Sequence, residues 1–244
     1  MPLDPNIKIE PNPDGNEGNW SNMYAQLIDK LQFIMNSIWP DITYAINRLA
    51  SYTANLSIQH QTALKRVLQY LSGTKTYGIT YKNIPGSHIS FLGYTNAAYK
   101  NRDDNKLTTG YVFIAVEGAI TWRSSRQSMT AESSTKAKYI ALWEAGKEAS
   151  WLRNLYNELG FTQKEPMVIM QDNTGMVAIA KNPMFHKYTK HINSHFHWIR
   201  EKIQDGQLDI EICCTDKQTA DALTKSLACP KHDKHSKAMG LLPV

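Results

Sequence analysis

The apolar residues of this 244-residue chain change their spacing once, after Gly73, and that change limits the folds open to it. Before Gly73 they recur at three- and four-residue steps. From Tyr24, the run Leu27, Leu31, Ile34, Met35 and Ile38 predicts a helix. Pro40 ends it, because proline lacks an N–H and pulls Trp39 away from helical angles. A second helix is predicted from Asp41 to about Ala54, with Ile42, Ala45, Ile46 and Leu49 on one face. A third runs from about Ser57 to Leu71 and stops at Gly73. After Gly73 the apolar pieces are short, alternating and separated by turns: 79–81, 88–94, 109–115 and 119–122. They predict an antiparallel meander.

Helices and strands then alternate. A long helix is predicted over about Ser134–Leu159, capped by Ser133 or Ser134 and closed by Gly160. Met167–Met170 reads as a buried strand that feeds Asp172, followed by a helix through Ala180. His191–Ile203 reads as helix, Leu208–Ile212 as strand and Ala220–Leu227 as a final helix. This order predicts an α/β layered domain with helices packed on a mixed sheet. Residues 1–20, rich in Pro, Asn, Asp and Gly, predict an exposed arm.

Composition narrows the function classes. Hydrophobic residues at 42% and charged residues at 20% fit a globular chain rather than a disordered one. The net charge of +5, spread without a basic block, permits nucleic-acid contact without demanding it. Cys213, Cys214 and Cys229 cannot form a disulfide framework. Neither a signal peptide nor an 18-residue apolar run is present, so the expectation is a soluble intracellular chain, cytoplasmic or nuclear, not secreted and not in a membrane.

Several segments occur together in a distinctive order. Upstream are Tyr24–Ile28, Pro40–Leu49 and Lys65–Thr74; then come Leu92–Tyr99, Thr109–Phe113, Ile120–Trp122, Ser133–Leu142 and Lys147–Leu152. Asp172-Asn173, Ala178–Pro183, Thr189–Ile192 and Ala220–Lys225 complete the series. Together they resemble the ribonuclease H domain of copia-type retrotransposon Pol polyproteins, with the end of the reverse transcriptase region in front. The resemblance implies a ribonuclease-H-like fold with a mixed sheet flanked by helices and an N-terminal helical segment. The implied boundaries are 1–85 for the polymerase end or connection, 86–228 for the ribonuclease-H-like domain and 229–244 for a basic tail. The polymerase palm with its catalytic aspartates is absent, which excludes polymerisation by this chain.

Such enzymes hydrolyse the RNA strand of an RNA–DNA hybrid with two divalent ions, held by hard oxygen ligands. The resemblance places the four acidic ligands at Asn96, Lys138, Asp172 and Asp221, so two of the four are replaced here. Four carboxylates would give four negative charges; these side chains carry one net negative charge. An ammonium about 4 Å from a divalent ion costs roughly 8 kcal/mol at an effective dielectric near 20. Asp172 and Asp221 are therefore the remaining candidate catalytic and metal positions, for Mg²⁺ or Mn²⁺ bound weakly. Each also suits a plainer role, Asp172 as a helix cap and Asp221 as a first-turn acid. Lys138 has three readings: an ammonium between the two acids in place of metal, a phosphate contact, or a lysine snorkelling to solvent.

Lys187, Lys190, His191 and Arg200 are expected to contact phosphate, against the plainer reading of a solvated helix face. The histidines at 186, 191, 195 and 197 lack the paired cysteine motif of a zinc site. Trp122, Trp143 and Trp151 read as packing residues. The expected function is a catalytically impaired ribonuclease-H-like protein that keeps nucleic-acid binding, with the RNA–DNA hybrid as partner. The alternatives are an active metal-dependent endoribonuclease on hybrids and a non-catalytic interaction or scaffold protein.

Overall fold

A computed structural model describes residues 1–12, 20–82, 89–98, 107–127, 134–181 and 193–244. Helix α1 (Trp20–Ser37) buries Tyr24, Ile28, Leu31 and Met35, whose spacing makes one stripe. Pro40 opens a short 3₁₀ turn, Pro40–Ile42, that leads into α2 (Thr43–Ala50). Helix α3 (Ile58–Gly73) begins at a capping box in which His60, rather than an acid or amide, reaches back to the Ser57 N–H at 3.0 Å. These helices share one core with Leu3 and Ile9. The expected exposed arm is thus corrected over residues 1–12. Arg48 Nη2 and the Tyr52 hydroxyl both donate to the Ile9 carbonyl, at 2.7 and 2.9 Å, and two apolar side chains go inside.

The strands that follow are β1 (Tyr77–Ile79), β2 (Phe91–Ala98), β3 (Thr108–Ala115) and β4 (Gly118–Arg126). Then come α4 (Ser134–Glu158), β5 (Met167–Gln171), α5 (Thr174–Lys181), α6 (Asn193–Gln204) and β6 (Leu208–Ile212). A five-stranded sheet has the order β4-β3-β2-β5-β6. The pairs β2–β3 and β3–β4 are antiparallel, whereas β2–β5 and β5–β6 are parallel. That is a ribonuclease-H-like α/β fold, with N-terminal helices in front.

Tyr139, Leu142, Ala145, Ala149 and Leu152 of α4 pack with Phe113, Ile169, Ile199 and Ile210 in the main core. On the other face Val112 and Ala119 meet Ala222, Leu223, Leu227 and Met239. The N-terminal helices dock beside β4, where Asn47 Nδ2 donates to the Ser124 carbonyl and Trp122 Nε1 to the Met35 carbonyl, each at 2.7 Å.

Four local expectations change. Strand β1 lies outside the meander and pairs antiparallel with β7 (Leu241–Pro243), which Gly240 turns toward it at φ +80. The expected helix at Ala220–Leu227 is a shorter 3₁₀ turn, Thr219–Leu223, and a true helix, α7 (Cys229–Ala238), forms in the segment read as a tail. Pro230 suits its first turn, and its buried side chains are His232, His235 and Ser236, a polar set that apolar periodicity does not register. Trp122 and Trp143 are half-buried, but Trp151 is exposed, so its packing role is corrected. Among the described residues no helix is long and apolar enough to cross a membrane.

Candidate functional site

Four elements converge on one end of the sheet. Central strand β2 presents Asn96, 4% exposed, near its C-terminal end. The first turns of α4 bring Lys138, the chain just after β5 brings Asp172, and the 3₁₀ turn brings Asp221, 5% exposed. Gly110, paired with Asn96 across β2–β3, lets that turn approach: a Cβ there would lie 2.7–2.8 Å from Thr224 Cγ2 and Leu223 Cβ. The structure therefore gathers all four positions expected from the sequence.

Three buried glutamines fasten these elements, and sequence reasoning did not single them out. Gln127 Nε2 bridges Thr109 Oγ1 (2.8 Å) and the Ala137 carbonyl (2.9 Å), tying β3 to the start of α4. Gln171 Nε2 donates to the Thr95 carbonyl at 2.9 Å, locking the end of β5 to β2. Gln218 Oε1 accepts from the Ala220 N–H at 3.4 Å, so it caps the turn holding Asp221.

The pairing within the site is specific. Lys138 Nζ lies 2.5 Å from Asp172 Oδ1. Asn96 Nδ2 donates to Asp221 Oδ1 at 2.5 Å, and Asn96 Oδ1 accepts from the Ala97 N–H at 2.8 Å. Lys225 Nζ adds an ion pair to Asp221 Oδ2 at 2.8 Å. Each residue standing at a replaced acidic position thus donates to one of the remaining acids. Lys138 takes Asp172 alone rather than sitting between the two carboxylates, and it is not a free snorkelling lysine. Two ammoniums balance two carboxylates, so the cluster is formally neutral. Lys225 was legible in principle, because it stands four residues after Asp221, one helical turn away.

This donor set does not fit a pair of divalent cations. Both carboxylates are already engaged, two ammoniums sit where positive ions would have to enter, and the Asn96 amide presents its N–H₂ to Asp221. Among the described residues no group of three or more His, Cys, Asp or Glu side chains is placed to hold a metal. Cys213 lies close enough to feel both acids, and burial, then the Asp172 charge, pushes its thiol up from the ordinary value, which keeps it protonated.

Of the expected phosphate contacts, Arg200 is corrected by its surroundings. It is 8% exposed and donates through Nη2 to the Ile179 carbonyl at 2.7 Å, tying α6 to α5. Lys187, Lys190 and His191 lie outside the described residues, as does His186. His195 lies against Trp143, ring centroids 3.9 Å apart and planes tilted by 30°, with Lys147 Nζ 3.6 Å from the Trp143 centroid.

The chain is similar to known Pol polyproteins over most of its length. The chain is 36% identical over 222 residues to the retrovirus-related Pol polyprotein from transposon RE2 of Arabidopsis thaliana, matching 91% of this chain and 15% of that polyprotein. It is 35% identical over 236 residues to that from transposon TNT 1-94 of Nicotiana tabacum, matching 96% of this chain and 18% of that polyprotein. The chain belongs to the copia-type Pol family. It thus spans less than a fifth of the length of these relatives. The secreted RxLR effector protein 161 of Plasmopara viticola is 34% identical over 130 residues, 53% of this chain and 90% of the effector. No family model matches the chain. Among solved structures, LC11-RNase H1 in complex with RNA/DNA hybrid is similar over 55% of this chain and 94% of its own, with TM-score 0.40 and 15% identity. The foamy viral protease-reverse transcriptase in complex with RNA/DNA hybrid is similar over 82% of this chain and 26% of its own, with TM-score 0.47 and 13% identity.

Proposed function

We propose that this copia-type, ribonuclease-H-like chain is catalytically impaired and retains binding to nucleic acid, with the RNA–DNA hybrid as its natural duplex. One observation carries the reading. Both remaining family acids are satisfied by internal donors, Asp172 by Lys138 and Asp221 by Asn96 and Lys225. Two-metal hydrolysis needs those oxygens on the ions that activate the water and stabilise the leaving oxygen. What the fold still supplies is a rigid cluster at the end of a ribonuclease-H-like sheet, in a chain with net charge +5. In this reading residues 1–85 are the polymerase end and 86–228 the ribonuclease-H-like domain, acting inside the cell, in cytoplasm or nucleus. Asp172 and Asp221 would hold Mg²⁺ or Mn²⁺ only weakly, because both are already paired internally.

Anisotropy of a labelled RNA–DNA hybrid, titrated in EDTA at several salt concentrations, tests the binding. Affinity is expected without divalent ion and should fall log-linearly with salt as phosphate contacts release counterions. No binding at low salt contradicts it. That result would favour the second reading, a pure interaction protein, for which the match to an effector covered over 90% of its length speaks.

A further inference from the structure

Helix α7 turns a polar face inward, and the fold seals it. His232 and Ser236 lie against Asp41 of the 3₁₀ turn after α1, and Tyr70 of α3 closes the cluster. Asp41 is 1% exposed. Its Oδ2 accepts from the Tyr70 hydroxyl and from Ser236 Oγ at 3.2 Å, while Oδ1 has no hydrogen-bond partner among the described residues. His232 Nε2 is 3.3 Å from the Asp41 carbonyl oxygen, and Ser236 Oγ is 3.4 Å from His232 Nδ1. The Tyr70 ring meets the imidazole edge-on with centroids 5.5 Å apart. Ser236 is buried, with its Oγ also 3.0 Å from the His232 carbonyl oxygen, so this Asp–His–Ser set is a joint and not a nucleophile facing substrate.

The same helix rests on the turn that carries Asp221. Met239, just past its end, is buried with Ala222 and Leu223, and the Ala119 N–H donates to the Met239 carbonyl at 2.9 Å. Helix α7 therefore links the N-terminal helices to the mooring of Asp221 and Lys225.

We propose that α7 is a proton-operated clasp: one proton held jointly by Asp41 and His232 keeps the joint uncharged and the helix docked, and losing that proton or gaining a second loosens it. Burial, the largest cause at both groups, pushes the Asp41 carboxyl up and the His232 imidazole down, each against the attraction of the other. The groups facing His232 are Asp41 from the 3₁₀ turn, Tyr70 from α3, the Met1 α-amino group and Asp233 on its own helix. One turn on, His235 feels Asp221, Lys234 and Lys225.

The pH window follows from counting protons in the docked and released forms. Between the ordinary carboxylate and imidazole values, 3.8 and 6.5, the released pair also holds one proton, so docking is flat there. Above 6.5 the released pair holds none, and docking weakens until Asp41 ionises in place. Below 3.8 it holds two, and docking weakens again. Taken alone, His232, lowered, contributes docking that is full above 6.5 and lost as pH falls through its folded value. Asp41, raised, contributes docking that is full below 3.8 and lost as pH rises through its folded value.

Amide hydrogen exchange of α7, corrected for intrinsic rates and referred to β3 of the sheet, reads this between pH 4 and 9. In the parent, α7 protection is expected to be flat to pH 6.5 and then to fall by up to about tenfold per pH unit. Asp41→Asn, shaped like the protonated acid, should reverse the slope, with protection falling as pH drops below 6.5. His232→Gln should lose protection from a lower pH than the parent. Parent protection that tracks β3 at every pH overturns the proposal, and so does an Asp41→Asn profile with the parent's slope. If a variant proves unfolded by circular dichroism, the parent profile alone decides.

Discussion

Lys138→Met keeps the length and packing of the lysine stem and deletes only the ammonium, so its cost isolates the pair with Asp172. The Lys138 and Asp172 side chains are 18% and 8% exposed and their charged atoms are 2.5 Å apart. At that spacing two unit charges attract by about 7 kcal/mol at an effective dielectric near 20, and desolvation offsets most of it. Exposed pairs contribute about 0–1 kcal/mol, and breaking a buried pair costs about 3–5 kcal/mol. This pair lies between those limits, nearer the buried one on the Asp172 side, so Lys138→Met should cost about 2–3 kcal/mol. Asp172→Asn should cost less, about 1 kcal/mol, because the stranded ammonium can reach water. The double variant should cost less than the sum of the singles, with a coupling of about 1–2 kcal/mol. Urea unfolding followed by far-UV circular dichroism measures all three as midpoint shifts at constant slope. Additive single variants, or a neutral Lys138→Met, would refute the view that Lys138 holds Asp172.

Three further outcomes follow from the geometry. Gly110→Ala drives a Cβ to within 2.7–2.8 Å of Thr224 and Leu223, and should lower stability by about 1–3 kcal/mol in the same unfolding assay. Glu117 sits at φ 68 in the β3–β4 turn; Glu117→Gly removes that strain and loses only an exposed 2.9 Å ion pair with Lys82, so the thermal midpoint should rise, by about 0.5–1 kcal/mol in stability. Because both site acids are internally paired, Mg²⁺ should leave the parent's thermal midpoint unchanged relative to EDTA. The double variant Asn96→Asp/Lys138→Glu should gain roughly 1–3 kcal/mol from saturating Mg²⁺, since a ion bound only by the folded state stabilises it by mass action.

Much of the fold was legible because its period is apolar. The stripe Leu27–Leu31–Ile34 and the alternation around Thr109–Ala115 each announce an element whose buried face is hydrocarbon. Helix α7 escaped because its buried face is His232, His235 and Ser236, of which His232 and Ser236 are held by hydrogen bonds that no periodicity records. The strand expected over 79–81 forms as β1 over Tyr77–Ile79, but its pairing with Leu241–Pro243, Gly78 opposite Leu242, depends on the turn at Gly240 and not on local pattern. At the site, the family resemblance implied that Asn96, Lys138, Asp172 and Asp221 would meet. Which donor takes which acid depends on side-chain reach, so the pairing of Asn96 with Asp221 and of Lys138 with Asp172 emerged only in three dimensions. Arg200 lies on its expected helix, but its direction is set by the Ile179 carbonyl inside.

The central claim is that internal donors have replaced the divalent ions, and cleavage of a labelled RNA–DNA hybrid in Mg²⁺ and in Mn²⁺ tests it most directly. The proteins are the parent, Asp172→Asn, Asn96→Asp, Lys138→Glu and the double variant Asn96→Asp/Lys138→Glu. The parent should cut no faster than Asp172→Asn. Neither single reversal should suffice, because one leaves the ammonium and the other leaves a ligand missing, whereas the double variant should cut, a strongly non-additive outcome. Robust cleavage by the parent, abolished by Asp172→Asn, would contradict the account and establish a working ribonuclease.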